Sequence, residues 1–285
     1  MSTARDPNVV PLDRAELIEL SGADAPAFAH AQFASDVGGL DVGNWQWSAW
    51  LNAQGRTRSV FALLRIAADD LLIWLPLGGA VSMREALARF VLRAKVRIAL
   101  REGWSLCRLD VPGRADGSSR IIDREGGFAF AQPGPQPRTA WLGPAPAGDV
   151  DPAGLAAWRL ADIAAGLPWL DVTTRDEFVP QALGLERIEA VRFDKGCYPG
   201  QEIAARLHFR GGAKQRLYRL TLPGDAPESA GTAISARGAR VGTVLYGAPL
   251  SETAHQALAV LVDSARDAPL ESGNGRIVER IEAVY

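Results

Sequence analysis

Short apolar runs with two-residue alternation, broken by Gly, Pro, Asn and Asp, recur along the chain and predict strands. Glu16–Leu20 reads as a strand, Ser21-Gly22 as a turn, and Asp24 as the cap of a helix through about Ala34. From Trp45 to Ile66 the pattern predicts a hairpin: Trp45, Trp47 and Ala49 alternate on one side, and Asn52-Ala-Gln-Gly55 supplies the turn. Val60–Ile66 and Leu71–Leu75 are apolar enough for strands. Ser82 is expected to cap a helix through about Arg93, with Met83, Leu87, Phe90 and Val91 on one face. Strands follow at Val96–Leu100 and Trp104–Leu109, an order that suits an α+β subdomain.

Residues 132–152 hold six prolines and three glycines and read as an exposed connection. Ala153–Ala165 resumes a helical period and stops at Gly166, with Pro168 beyond it. From residue 212 onward no long helix is expected. Arg216–Leu222, Arg240–Tyr246, Ala257–Val262 and Arg276–Tyr285 read as strands of a small β-barrel or sandwich.

At 285 residues the chain can form two or three domains, and 47% hydrophobic and 22% charged residues are ordinary for a globular protein. No apolar run is long enough to span a membrane, and Met1–Asn8 lacks the apolar stretch of a secretory signal, so a cytoplasmic location is expected. Cys107 and Cys197 lie far apart in sequence, which fits a reducing compartment better than a disulfide scaffold. A net charge of −2 argues against nucleic-acid binding by the whole surface. The local cluster Arg84, Arg89, Arg93, Lys95, Arg97 and Arg101 reads as a solvated face before it reads as an RNA contact.

The densest chemistry lies at Lys195-Gly-Cys-Tyr-Pro-Gly-Gln-Glu202. Only three of the 31 cationic side chains are lysines, and one of them stands beside a cysteine. A nearby ammonium favours the thiolate, the nucleophilic and metal-binding form. Gly196 and Gly200 allow tight turns and close backbone approach. The plain alternative is a turn carrying a small buried cysteine. Glu202 and Gln201 could hydrogen-bond a heteroaromatic ring, Tyr198 could stack on one, and Lys195, Arg192 and Arg206 could pair with a carboxylate tail. The alternative is a helix start with Glu202 at its positive end. His30, His208 and His255 are scattered, so no self-contained metal site is expected.

Phe178-Val-Pro-Gln-Ala-Leu-Gly-Leu185, Arg192-Phe-Asp followed by Lys195–Glu202, and Ala205-Arg206 together resemble the signature of the YgfZ family. Those are folate-binding relatives of the glycine-cleavage T-protein, implicated in assembly or repair of iron–sulfur enzymes, including tRNA-modifying ones. Gln32–Val37 and Trp50–Arg56 resemble two further family segments. The resemblance implies an α+β fold of three domains in a ring. Residues 1–45 with 110–211 would form a discontinuous folate-binding-type domain, 46–109 an inserted ferredoxin-like domain, and 212–285 a C-terminal β-barrel. It implies tetrahydrofolate or a related reduced folate as cofactor and iron–sulfur clients such as radical tRNA-methylthiolating enzymes as partners. Direct tRNA contact is the lesser expectation, and a membrane is not expected. Cys197 would be the functional thiol and Lys195 its neighbour in the chemistry. Gly196, Tyr198, Gly200, Gln201, Glu202 and Arg206 would bind or shape the ligand site, with Asn52, Gln54 and Arg56 facing the same pocket.

One departure bears on activity. T-protein enzymes carry an aspartate in the strand after the Asn-x-x-Gly turn, whereas no acid occurs here from residue 53 to 68. The family's Glu-x-Gly element reads Ile163-Ala-Ala-Gly166, with Asp162 the nearest acid. An enzymatic role is therefore not the first expectation. A folate-dependent one-carbon transferase using Asp36, Asp162 and Glu202 is the alternative, and a direct tRNA-binding module another.

Overall fold

The computed structural model describes residues 8–110, 119–146, 149–211 and 214–285. The reading of the N-terminus as lacking a signal falls almost entirely outside them. The chain forms two compact units, 1–30 with 36–47 and 61–155, and 31–35 with 48–60 and 156–285. No helix among the described residues is long and apolar enough to cross a membrane.

The chain opens with β1 (Val9–Arg14), β2 (Glu16–Ser21) and α1 (Ala25–Gln32). The predicted hairpin follows as β3 (Asn44–Leu51) and β4 (Thr57–Arg65), then β5 (Asp70–Leu75), α2 (Ala80–Ala88), β6 (Arg97–Leu100) and β7 (Trp104–Leu109). Three strands come next, β8 (Ile121–Arg124), β9 (Gly127–Gln132) and β10 (Arg138–Pro144), then α3 (Pro152–Ala165) and α4 (Gln201–Arg210). The last part is β11 (Gln215–Pro223), β12 (Ala233–Ala236), β13 (Ala239–Pro249), β14 (Ala254–Val262), β15 (Glu271–Ser272) and β16 (Arg280–Ala283).

These strands make three sheets, ordered β1-β7-β10-β9-β8, β3-β4-β5-β2-β6 and β15-β12-β13-β14-β11-β16. In the third, the expected two-residue period is plain: Tyr218, Leu220 and Leu222 of β11 and Ala257, Ala259 and Leu261 of β14 face one core. Buried Glu228 closes that unit from inside, accepting hydrogen bonds from Ser272, Asn274 and Arg276. In the second sheet Leu71–Leu75 of β5 is buried at every position, as for a strand covered on both faces. Trp45, Trp74 and Phe130 pack ring to ring nearby, and every tryptophan except Trp104 is buried.

Three expectations need correction. Residues 132–152 are not one exposed connection, because β10 lies inside the first sheet between β7 and β9 with Trp141 and Leu142 buried. Its prolines flank the strand and leave the interior ladder intact: Pro133, Pro135 and Pro137 make the exposed turn before it, and Pro144 ends it. Residues 147 and 148 of that stretch lie outside the described residues. Ser82 does not cap α2, which starts on Gly79, and its hydroxyl donates back to the Gly79 carbonyl. Nor does α2 reach Arg93: it stops at Ala88, and Phe90 is left 48% exposed. Asp24 spends one carboxylate oxygen on the Lys95 backbone N–H, which fixes the run into β6.

Candidate functional site

The motif precedes α4 as a stretch without regular structure, held from both ends. Arg192 N–H donates to the Ala34 carbonyl at 2.8 Å, and Lys195 Nζ donates to the Phe33 and Ser35 carbonyls at 2.6 and 2.9 Å. Residues 33–35 are themselves fixed, since Phe33 bridges Trp50, Ala34 N–H donates to Ala49, and Ser35 Oγ donates to Ser48 Oγ. The Tyr198 hydroxyl returns to the Arg192 carbonyl at 3.0 Å, while its ring carries the Lys195 ammonium at 5.1 Å. Burial pushes the Tyr198 phenol well above its ordinary pKa, so it stays a neutral donor. Gln201 Nε2 completes the brace on the Lys195 carbonyl at 3.3 Å. Between these ties Gly196 and Cys197 are exposed, whereas Cys107 is fully buried in β7. Cys197 is therefore not the small buried cysteine of the plain alternative.

The turn between β3 and β4 packs on the start of α4. Gly200, at φ 76°, is the N-cap, and a Cβ there would lie 2.3 Å from the Asn52 carbonyl oxygen and 2.8 Å from Gly55 Cα. At Gly55, with φ 71°, the contact is tight and not overlapping, a Cβ lying 3.0 Å from Ile203 and 3.2 Å from the Gly200 carbonyl. At Gly200 only glycine satisfies both the backbone angle and the space. The structure therefore brings Asn52, Gln54 and Arg56 to the motif, but with different duties. Asn52 Oδ1 accepts the Gln54 and Arg56 N–H groups at 2.9 Å each, and its Nδ2 donates to Asp176 at 2.7 Å. Arg56 donates to the Glu177 carbonyl, and Gln54 is exposed.

Asp176 and Glu177 are the residues that sequence reading missed. Asp176, at φ 61°, also accepts from Arg58 Nε at 3.2 Å, and the Arg58 guanidinium covers Trp50 at 4.7 Å. A carboxylate thus reaches the acid-free 53–68 segment from far along the chain. Glu177 Oε1 accepts from Arg240 and Thr243. No local motif announces either contact.

The remaining charges are apportioned clearly. Asp194 holds Arg192 in a two-pronged pair at 3.0 and 2.7 Å, and those hydrogen bonds lower its pKa to about 2. Glu202 and Arg206 are exposed on α4. Of the acids considered for transfer chemistry, Asp162 is buried and accepts from the Trp169 indole at 3.0 Å, and Asp36 accepts from Gly39 N–H. Among the described residues, no group of three or more His, Cys, Asp or Glu could hold a metal ion.

A reduced folate needs acceptors for pterin N–H groups and cations for its carboxylates. Among the buried acceptor atoms of this unit without a hydrogen-bond partner are Gln32 Oε1, Thr57 Oγ1 and Gln181 Oε1. Gln181 lies against α4, its Nε2 donating to Ala204 at 2.9 Å. Unmet buried acceptors and an exposed Arg206 in the same unit fit the chemistry of such a ligand.

No family model matches the chain. An uncharacterized protein of Haemophilus influenzae is 31% identical over 210 residues, covering 73% of this chain and 71% of its own. The tRNA-modifying protein YgfZ of Vibrio vulnificus is 29% identical over 238 residues, covering 76% and 72%. Among solved structures, the glycine cleavage system aminomethyltransferase T of Bartonella henselae superposes with a TM-score of 0.69 at 16% identity, over 97% of this chain and 85% of that one. The mixed α and β fold, built mostly of sheet, is that of aminomethyltransferase T. With the Lys195–Glu202 motif in place and relatives matched over most of their length, the chain belongs to the YgfZ family.

Proposed function

We propose that this chain is a folate-binding accessory protein in tRNA modification, supporting assembly or repair of iron–sulfur enzymes such as radical tRNA-methylthiolating ones. Kinship with a protein named tRNA-modifying YgfZ and the aminomethyltransferase-like fold support the reading. The observation that carries it is an exposed Cys197 on a loop whose flanks are tied down by Lys195, Tyr198 and Gln201. Such a thiol can meet another macromolecule without the loop having to reorganise. Lys195, Tyr198, Gly200, Asn52 and Arg56 shape the site. Gln54, Gln201, Glu202 and Arg206, with the unmet acceptors of Gln32, Thr57 and Gln181, would hold the folate. When bound, that folate supplies a pterin able to carry one-carbon units. Asp162 is engaged by Trp169, so no aminomethyl transfer is proposed. The three-part division of the chain belongs to the same proposal, and limited proteolysis near residue 212 should release the barrel.

Two measurements test the reading. In cells lacking the protein, Cys197→Ala should fail to restore a tRNA-methylthiolating enzyme although the purified variant melts as the wild type does. Full restoration would remove the thiol from the proposal. Calorimetric titration with tetrahydrofolate should give saturable binding, weakened by Glu202→Ala and Arg206→Ala, and a flat wild-type titration would remove the folate.

A further inference from the structure

A surface hollow of about 470 Å³ lies beside the motif, walled by Glu186, Glu189 and Asp194 and by the rings of Phe193, His208 and Phe209. The rings form one cluster: His208 stacks on Phe193 at 4.6 Å with 31° between planes, and Phe209 meets His208 edge-on at 4.8 Å. His208 Nδ1 is 2.7 Å from Glu186 Oε2, which fixes the imidazole against its neighbours. The backbone under the acids is equally fixed, with Glu189 N–H donating to the Glu186 carbonyl and Ala190 N–H to Leu185. Yet Phe209, near the end of α4, is 76% exposed.

Ring faces attract cations, and the carboxylates on the same wall strengthen that preference. Of its three carboxylates, Glu186 is paired with His208 and Asp194 with Arg192, which leaves Glu189 to meet an incoming charge. A phosphate or carboxylate would be disfavoured beside Glu189, and a neutral apolar group would use the rings but strand that acid. A guanidinium or ammonium on an aliphatic stem uses both. We infer that this hollow receives an arginine or lysine side chain presented by a partner protein. A shallow surface site gives a free amine few contacts, whereas an aromatic seat for a cation is a usual anchor of protein interfaces. Asp194 belongs to the same loop as Cys197, so a partner anchored there is delivered to the exposed thiol. The inference stands apart from the folate reading and is tested without it.

The experiment is an NMR titration of the full chain with acetyl-Gly-Arg-Gly-amide and its citrulline counterpart, which keeps the shape and removes the charge. Saturable shifts confined to residues 186–194 and 208–209 are expected for the arginine peptide, with binding at least about fivefold weaker for citrulline. Phe209→Ser, at an exposed position, should weaken the arginine peptide at least about fivefold, and Glu189→Gln about threefold. Equal binding of the citrulline peptide, unchanged affinity in Phe209→Ser, or no saturable shift in this region would overturn the inference. Tetrahydrofolate binding measured on the same samples separates this failure from failure of the folate reading.

Discussion

α2 and α4 both begin on a left-handed glycine without a capping side chain of its own, Gly79 at φ 101° and Gly200 at φ 76°. At α2 the exposed N–H groups are answered by a neighbouring strand: Glu16 Oε2 accepts from Gly79 at 2.6 Å and from Ala80 at 2.8 Å. The anion that a helix start attracts is therefore a side chain of the protein itself, and the Gly78-Gly79 turn is a structural closure. At α4 the glycine is spent on proximity, since it lets the helix start press against Asn52 and Gly55. One device thus serves two ends: it finishes a helix in one region and clamps a loop carrying an exposed thiol in the other.

The contrast can be broken by substitution. Gly200→Ala should have the largest effect, about 2–4 kcal/mol in urea unfolding, because strain at positive φ adds to a clash with the Asn52 carbonyl. Gly79→Ala, which strains the backbone at φ 101°, should cost about 1 kcal/mol, and equal losses would erase the difference. Lys195→Met should follow at about 2 kcal/mol, since the carbonyls of buried Phe33 and Ser35 lose their donor. An unchanged urea midpoint would show that the ammonium's role lies in chemistry alone. Glu16→Ala should cost about 1 kcal/mol and make α2 sensitive to added sulfate, with a thermal shift larger than the wild type's.

The smallest expected effect is electrostatic. Asp194 has a folded pKa of about 2, below its ordinary value, because Arg192 donates to it. A depressed carboxylate pKa stabilises above the unfolded value, and that contribution is lost as pH falls through about 2. NMR titration of the carboxyl should show that midpoint, moving up toward about 4 in Arg192→Gln. A wild-type midpoint near 4 would mean the pair is not held in solution.

What the sequence disclosed follows the range of the forces involved. Strands β2 to β7, and β11, β13 and β14, were legible because their burial alternates locally or runs unbroken between turn residues. α3 was legible through Gly166, and α4 only as an alternative reading, from the acid in its first turn. β10 was hidden by prolines that turn out to bracket it. The early end of α2 was hidden because no glycine or proline marks it. The chain leaves the helix as β6 pairs with β2, and Asp24 holds the Lys95 N–H on the way. At the site, Lys195–Glu202 and the 52–56 turn stood out by composition, but Asp176 lies 124 positions from Asn52 and no spacing rule joins them.

The unequal exposure of the two cysteines has a practical corollary. With Cys107 sealed inside a sheet and Cys197 open to solvent, the unmodified chain offers one handle to a thiol-directed reagent. A maleimide dye or nitroxide attached without mutagenesis would sit on residue 197, and its mobility would report the arrival of a folate or a partner at that loop.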